Sequence, residues 1–200
     1  MKSTLAAITL LLATLCAVPA TAEGDPAVPV HKLYDTLTEV MKQGKELGFQ
    51  GRANKLKPVI ASTYDMPAVT KAMLGLAANK LSPEDFTRLS DANTRFSVAT
   101  YADQFSKFGG ERFEVGEPHP GVNGNTVVPS TIVSGDGSRT AIDYVVHDNN
   151  GAWAIIDVLF NGSISQVAVR RSELVPIFRQ NGLDGLITVL DTKAAALEKR

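Results

Sequence analysis

Arg170 and Arg171 are two adjacent arginines that follow an apolar, alternating stretch, and they are well suited to bind an anion. The stretch from 158 to 178 reads VLFNGSISQVAVRRSELVPIF, with a turn at Asn161-Gly162 and a helix start after the arginines. Arginine meets phosphate or carboxylate with a forked pair of donors. We expect both arginines to stand where the last strand leaves the sheet. An ion pair with Glu173 or with the closing helix is the more ordinary alternative.

Two aspartates in predicted strands, Asp143 and Asp157, are candidates for acid–base chemistry. A carboxylate whose pKa is raised by burial can act as a general base, and small cone-shaped α+β folds host such enzymes. A hydrogen-bonded structural aspartate, or one at a sheet margin, is the interpretation that we favour. Strand alternation places Asp143 on the same face as His147, with Tyr144 on the opposite face.

Other catalytic and cofactor signatures are missing from the sequence. It has no G-x-S-x-G nucleophile elbow, no G-x-x-x-x-G-K phosphate loop and no G-x-G-x-x-G dinucleotide motif. The histidines at 31, 119 and 147 have no cysteine or second histidine at metal-ligand spacing. Asn161-Gly-Ser163 matches a glycosylation triplet but is more typical of a turn. We therefore expect no metal and no cofactor.

Residues 1–22 have the pattern of a secretory signal peptide. Lys2 gives a positive start, an apolar run follows from Leu5 to Val18, and Ala20-Thr21-Ala22 is a small-x-small cleavage site. Cleavage before Glu23 would remove Cys16, the single cysteine, so the mature chain would have no disulfide. The pattern predicts an exported protein.

Residues 23–200 form the predicted mature chain, and its 178 residues suit a single domain. Without Lys2 it carries 19 basic and 21 acidic residues, a net charge near −2. This balance excludes the clustered basic charge on which nucleic-acid binding rests. No later segment approaches the roughly 20 apolar residues that span a bilayer. We expect a soluble protein that binds no nucleic acid.

The first half of the chain shows helical periodicity. Leu33, Leu37 and their apolar neighbours define one amphipathic helix, which should fray between Gly44 and Gly51 before a weaker second helix. Asp65 is expected to cap a third helix. Ser82-Pro83 begins a long fourth helix with many aromatic residues, which is expected to end at about Phe108.

After residue 110 the apolar period changes from about 3.6 to about 2. This predicts strands at 112–117, 126–134, 140–147 and 153–160, and a fifth strand or an extension at 164–169. Pro129 favours an edge or a bulge. Ser172 is expected to cap a closing helix that ends at Asn181-Gly182, and a last helix covers 183–197. The order predicts an α+β fold: N-terminal helices, a curved antiparallel sheet of four to five strands, and C-terminal helices.

Both faces of the third and fourth predicted strands carry large apolar residues. A sheet with one face in water would show polar residues at alternate positions. Both faces are therefore covered, or one of them faces a cavity. A filled core is the more ordinary outcome, and periodicity does not distinguish it from a hollow one.

Seven segments carry a resemblance to a known family: TYADQF (100–105), GERFEV (110–115), IDY (142–144), WAIIDV (153–158), NGSIS (161–165), VRRSEL (169–174) and GLDGL (182–186). In this order and spacing they resemble the MlaC-type periplasmic lipid carriers, also called the toluene-tolerance family. The stretch ISQVAVRRSEL (164–174) is most similar to the hopanoid-associated HpnM branch. The resemblance covers nearly all of the mature chain. It departs at LAANK (76–80), where many relatives have a tryptophan.

The resemblance implies a soluble periplasmic shuttle with an NTF2-like cone, in which an apolar cavity between a curved sheet and its helices holds lipid tails. The implied cargo is phospholipid or a hopanoid-type lipid. The implied partners are an inner-membrane ABC transporter complex and an outer-membrane lipoprotein complex. No catalysis is implied. The alternatives are an isomerase- or dehydratase-like enzyme that uses Asp143 or Asp157, and a lipid-free scaffold module of the envelope.

The candidate lipid-contacting residues come from the aromatic helix, the central strands and the arginine pair. One arginine would meet a lipid headgroup or an acidic partner surface at the cavity rim. The candidates are Phe96, Tyr101, Phe105, Tyr144, Val146, Ile156, Val158, Phe160, Arg170 and Arg171.

Overall fold

The computed structural model of the chain describes residues 24–199. The predicted signal peptide and its cleavage site therefore lie outside the described residues. The described chain runs from helices through an antiparallel sheet to a long C-terminal helix. The α+β class and this order of elements are confirmed.

The helices before the sheet are α1 (Val28–Lys42), α2 (Gly44–Thr63), α3 (Met66–Leu74) and α4 (Pro83–Gln104), and a 3₁₀ segment (Gly75–Lys80) joins α3 to α4. The predicted fraying between Gly44 and Gly51 is wrong. The chain is helical there and is interrupted only at Gly48, whose φ of 60° is a conformation that glycine adopts easily.

The capping residues predicted for α3 and α4 are confirmed. The Asp65 carboxylate accepts the backbone N–H of Ala68 at 2.9 Å, and the Ser82 hydroxyl accepts that of Asp85 at 3.1 Å. These side chains satisfy N–H groups that the first turn of a helix leaves without a partner.

The fourth helix ends at Gln104, earlier than the predicted end at about Phe108. Phe105 leaves the helical conformation with φ −103° and ψ 53°. Its ring stacks on Tyr101 at a centroid distance of 5.7 Å and approaches Phe113 of the sheet at 6.2 Å. Aromatic packing against the sheet therefore accompanies the end of the helix.

The described strands are β1 (Arg112–Val115), β2 (His119–Pro120), β3 (Thr126–Val128), β4 (Ser130–Val133), β5 (Arg139–Asn149), β6 (Ala152–Phe160) and β7 (Ile164–Ser165). The central strand β5 pairs with β3 and β4 along one edge and with β6 along the other, all antiparallel. Pro129 separates β3 from β4, because proline has no N–H for a sheet. The predicted strand at 126–134 is therefore two strands, and the sheet has more strands than the four to five expected.

A β-bulge in β6 changes which residues face inward. Tyr144 pairs with Val158, but Val146 pairs with Ile155, so Ile156 is an extra residue on β6. The alternation of inward-facing and outward-facing side chains along β6 therefore shifts by one residue at Ile156. This shift explains why large apolar residues occupy both odd-numbered and even-numbered positions of β6.

Two apolar clusters form the core. The first packs α1 and α2 against the inner face of the sheet and includes Leu33, Leu37 and Val146. The second joins α3, α4 and the C-terminal helix and includes Leu89 and Leu186. The partly buried Val167 packs against both clusters.

The C-terminal helix α5 spans Gln166–Glu198 and is interrupted at Gly182, which has φ 67° and ψ −168°. The predicted break at Asn181-Gly182 is confirmed. The predicted extended conformation of 166–169 is wrong, because β7 ends at Ser165, whose hydroxyl accepts the Ala168 N–H at 2.9 Å and caps the helix.

The arginine pair consequently lies in α5 and not at the end of a strand. The helix start predicted at Ser172 is wrong by about two turns, because the Asp157 carboxylate of β6 accepts the Ser165 hydroxyl at 2.5 Å and the Val167 N–H at 3.1 Å. This long-range contact begins the helix earlier than the local sequence indicates.

Replacing Ser165 with alanine should lower the free energy of unfolding by about 1 kcal/mol, because the cap of α5 is lost. Ser172→Ala is the matched control. Ser172 lies inside α5 and its hydroxyl donates only to the Val169 carbonyl, so its replacement should change stability by less than about 0.5 kcal/mol. Urea unfolding followed by circular dichroism measures both. A larger loss for Ser172→Ala would contradict this helix start.

Candidate ligand cavity

A cavity with mostly apolar walls lies between the sheet and the helices. Residues from α2, α3, α4, α5 and three strands (β4, β5 and β6) line it, and its volume is about 430 Å³. This volume falls within the roughly 300–1,000 Å³ of small-molecule sites in proteins. The sheet face that carries Tyr144 and Val158 points toward it.

Most of the residues predicted from the sequence line this cavity together: Tyr101, Phe105, Tyr144, Ile156, Val158, Phe160 and Arg170. Val146 does not, because it is fully buried in the core beneath α1. Phe96 lies behind Arg170, whose guanidinium carbon is 4.7 Å from the ring centroid. Arg171 is exposed and its guanidinium lies over Gly75, away from the cavity.

Sequence reasoning missed the wall made by α2 and α3. Ile60, Tyr64, Met66 and Val69 line the cavity from this side. The junction of these helices is fixed to the sheet by a parallel bridge between Tyr64 and Ile155, and by the Asp65 N–H, which donates to the Ile155 carbonyl at 3.0 Å. No local sequence pattern indicates that residues of these two helices face a cavity.

The cavity meets solvent at Gln104 and Phe160, the exposed members of its lining. Phe160 is 42% exposed although its side chain is large and apolar, and the neighbouring Ile164 is 47% exposed. These two residues pair across β6 and β7. The rim of the opening is therefore partly apolar.

All four tyrosines of the sequence meet in one cluster. The Tyr64 and Tyr101 hydroxyls are hydrogen-bonded at 2.5 Å, and both side chains line the cavity with Tyr144. Tyr34 lies behind them, with its ring edge-on to Tyr144 at 5.6 Å and its hydroxyl 2.6 Å from Ser130 Oγ. The cluster gives polar groups to an otherwise apolar wall.

Burial raises the pKa of every tyrosine in the cluster. The pKa of Tyr34 is raised to about 12, mainly by loss of solvent. Desolvation also raises the pKa of Tyr101, and it raises the pKa of Tyr64 and Tyr144 well above the ordinary value. All four phenols are therefore neutral at physiological pH, and they offer hydrogen bonds without negative charge.

Arg170 brings a positive charge to the cavity wall. Its Nη1 donates to Asn93 Oδ1 at 3.2 Å and to Ser97 Oγ at 3.1 Å, and Phe96 packs on the guanidinium face. Burial lowers the pKa of Arg170, but arginine stays charged in proteins. The Glu173 charge acts to raise the pKa of Arg170, but the ion pair expected between them is not formed. Glu173 Oε2 pairs instead with Lys193 Nζ at 3.3 Å.

The two candidate aspartates differ in position. Asp157 lines the cavity, but its oxygens already accept the Ser165 hydroxyl and the backbone N–H groups of Val158 and Val167. Asp143 does not line the cavity. Asp157 therefore fits the structural interpretation, in which its charge favours the start of α5.

Residues 24–199 contain neither a metal-ligating cluster nor a membrane-spanning helix. In this part of the chain, no three His, Cys, Asp or Glu side chains are grouped so that they could hold a metal ion. No helix of the same part is long and apolar enough to cross a membrane.

A family model described as MlaC protein matches residues 31–192 of the sequence. None of the curated proteins searched is significantly similar. The matched range contains all the residues that line the cavity.

A similar solved structure is that of the phospholipid-binding protein from Ralstonia solanacearum in complex with a phospholipid. The two chains share 19% sequence identity, with a TM-score of 0.74. The similarity covers 87% of this chain and 99% of the other. At this identity the comparison establishes the shared fold.

The tyrosine cluster predicts a loss of stability in alkali. Because the pKa values of the folded protein lie above the unfolded value of about 10, only the unfolded chain releases phenol protons just above that pH. Stability should be fully present below about pH 10, and each buried tyrosine should lower it by up to about 1.4 kcal/mol per pH unit above that. Ultraviolet absorbance of ionised phenol measures the pH at which the tyrosines of the folded protein titrate. Tyrosines that titrate near pH 10 in the folded protein would contradict the burial argument.

Proposed function

Because the chain belongs to the MlaC family, we propose that it is a periplasmic lipid-binding protein whose cavity holds hydrocarbon. We extend the proposal to a shuttle that carries lipid between the envelope membranes. The apolar cavity beside a densely packed core is the observation that carries it. The phospholipid in the similar Ralstonia solanacearum structure supports the same class of ligand.

The energetics of lipid transfer fit this arrangement. Each methylene left in water costs about 0.8 kcal/mol, so two tails with about 30 methylenes would cost on the order of 24 kcal/mol to expose. A carrier has to return most of this free energy through apolar contacts. It must also release the lipid again, so it cannot bind far more tightly than the membrane does. An apolar pocket that opens at Gln104 and Phe160 suits both requirements.

The cargo is proposed to be phospholipid or a hopanoid-type lipid. The phospholipid alternative is supported by the similar solved structure. The hopanoid alternative rests on the resemblance of ISQVAVRRSEL (164–174) to the HpnM branch. An inner-membrane ABC transporter complex and an outer-membrane lipoprotein complex are the partners that this family resemblance supports.

Native mass spectrometry of protein purified from the periplasm, followed by organic extraction, tests lipid binding directly. We expect a lipid-bound mass and an extract that contains phospholipid or hopanoid. A bare protein mass, together with no uptake of lipid from vesicles, would contradict the carrier. An enzyme or a lipid-free scaffold would then be the better account. Loss of a turnover in Asp157→Asn would favour the enzyme.

Filling the cavity should remove lipid without unfolding the protein. Val158→Trp places a large side chain in the cavity and should lower the fraction of lipid-bound protein several-fold. Leu159→Trp is the matched control, since Leu159 is the next residue of β6 and does not line the cavity. The same mass spectra report both variants, with thermal unfolding as the folding check. Equal lipid loss in both would mean that this pocket is not the lipid site.

A further inference from the structure

Arg170 presents an open hydrogen-bonding edge to the cavity. Arginine has five N–H donors, and both printed contacts of Arg170, to Asn93 Oδ1 and Ser97 Oγ, use Nη1. Within residues 24–199, neither Nε nor Nη2 of Arg170 forms a hydrogen bond with a protein acceptor. These two nitrogens form the side-on fork with which arginine holds a carboxylate or phosphate.

No carboxylate of the described residues neutralises this charge at contact distance. Asp157 is engaged by three donors at the start of α5, and Glu173 pairs with Lys193. The nearby Tyr64 and Tyr101 are neutral phenols. Neutral hydrogen bonds and the Phe96 ring replace only part of the water that a guanidinium loses on burial.

The fork also lies away from the opening of the cavity. Arg170 contacts α4 at Ser97, whereas the exposed lining residue of the same helix is Gln104. Seven residues of α-helix separate these positions, which is about 10 Å along the helix axis. A ligand that reaches Arg170 therefore has its chain beside the apolar walls formed by Ile156 and Val158.

We propose that Arg170 is a ligand-binding residue that receives the carboxylate or phosphate of an acidic amphiphile whose hydrocarbon chain occupies the cavity. This rests on the proposed lipid-binding function and narrows it to lipids that offer an anionic group inside the protein. An uncharged lipid of the same chain length binds the same walls but leaves the fork empty.

Three probes of equal chain length test the proposal: palmitate, hexadecyl phosphate and hexadecanol. Calorimetric titration of the delipidated wild-type protein should give at least about tenfold tighter binding for either anionic probe than for hexadecanol, as charge-assisted hydrogen bonds require. Inorganic phosphate, which has no chain, should bind at least about a hundredfold more weakly than hexadecyl phosphate, because the chain contributes most of the affinity.

Arg170→Gln should reduce the preference for the anionic probes over hexadecanol to within about twofold, because the ratio of the two affinities reports the loss of the arginine fork. Arg171→Gln is the matched control, since the neighbouring arginine is exposed outside the cavity, and it should keep the full preference. NMR of palmitate with a labelled carboxyl carbon gives a second readout on the wild-type protein. The bound carboxyl should titrate about 1 pH unit or more below the same group in a lipid bilayer.

The outcomes separate this inference from the carrier itself. Equal affinity for palmitate and hexadecanol in the wild type, or an unshifted carboxyl titration, overturns the role of Arg170 and leaves lipid binding intact. Failure of all three amphiphiles to bind overturns the carrier and this inference with it. If inorganic phosphate binds as tightly as hexadecyl phosphate, the site binds free anions, and the proposal that its ligand is an amphiphile is overturned. If Arg170→Gln does not fold, the comparison of palmitate with hexadecanol and the carboxyl titration, both on the wild-type protein, still test the role of Arg170.

Discussion

The proposed function depends on an apolar cavity that stays open between two densely packed regions. At the cost found for engineered cavities, a dry void of about 430 Å³ would destabilise a protein by about 10 kcal/mol. That is comparable with the roughly 5–15 kcal/mol by which a whole domain is stable. Such a space persists when its walls are supported from behind and when ligand or solvent can enter. Here the core under α1 and the core among α3, α4 and α5 support opposite walls.

The start of α5 joins these two regions and also shapes the cavity chemically. Asp157 of the sheet fixes the first turn of the helix through Ser165 and Val167. One turn later, Arg170 reaches α4 and brings its charge to the cavity wall. The tyrosine cluster adds neutral hydroxyl groups beside it. An interior that would otherwise accept only hydrocarbon thus contains one cationic and several neutral polar groups, which are positioned by helix–sheet and helix–helix contacts.

Residue type and strand alternation are local properties, and they were enough to nominate candidate wall residues. Val158 and Phe160 of β6, Tyr101 of α4 and Phe105 just after it line the cavity, although alternation alone did not decide which face of the sheet turns inward. Val146 was placed with them because alternation along β5 puts it on the same face as Tyr144. Its position along the strand decides how it packs. Val146 lies wholly in the core cluster that includes residues of α1 and α2, whereas Tyr144 also lines the cavity. Alternation along a strand shows which face of the sheet a side chain is on, but not whether a helix or a cavity lies over that position.

Periodicity, caps and turns act over a few residues, so the α+β order, the starts of α3 and α4 and the longer helices and strands could be predicted from the sequence. Only the tertiary structure decided where α5 begins, how the bulge at Ile156 shifts the strand, and which arginine faces inward. Each of these depends on contacts between different elements of the fold. Asp157 lies eight residues before Ser165, and Arg170 finds its partners more than seventy residues earlier, on α4. Whether the interior is hollow is likewise a property of opposing walls, to which several distant segments contribute and which no local pattern records.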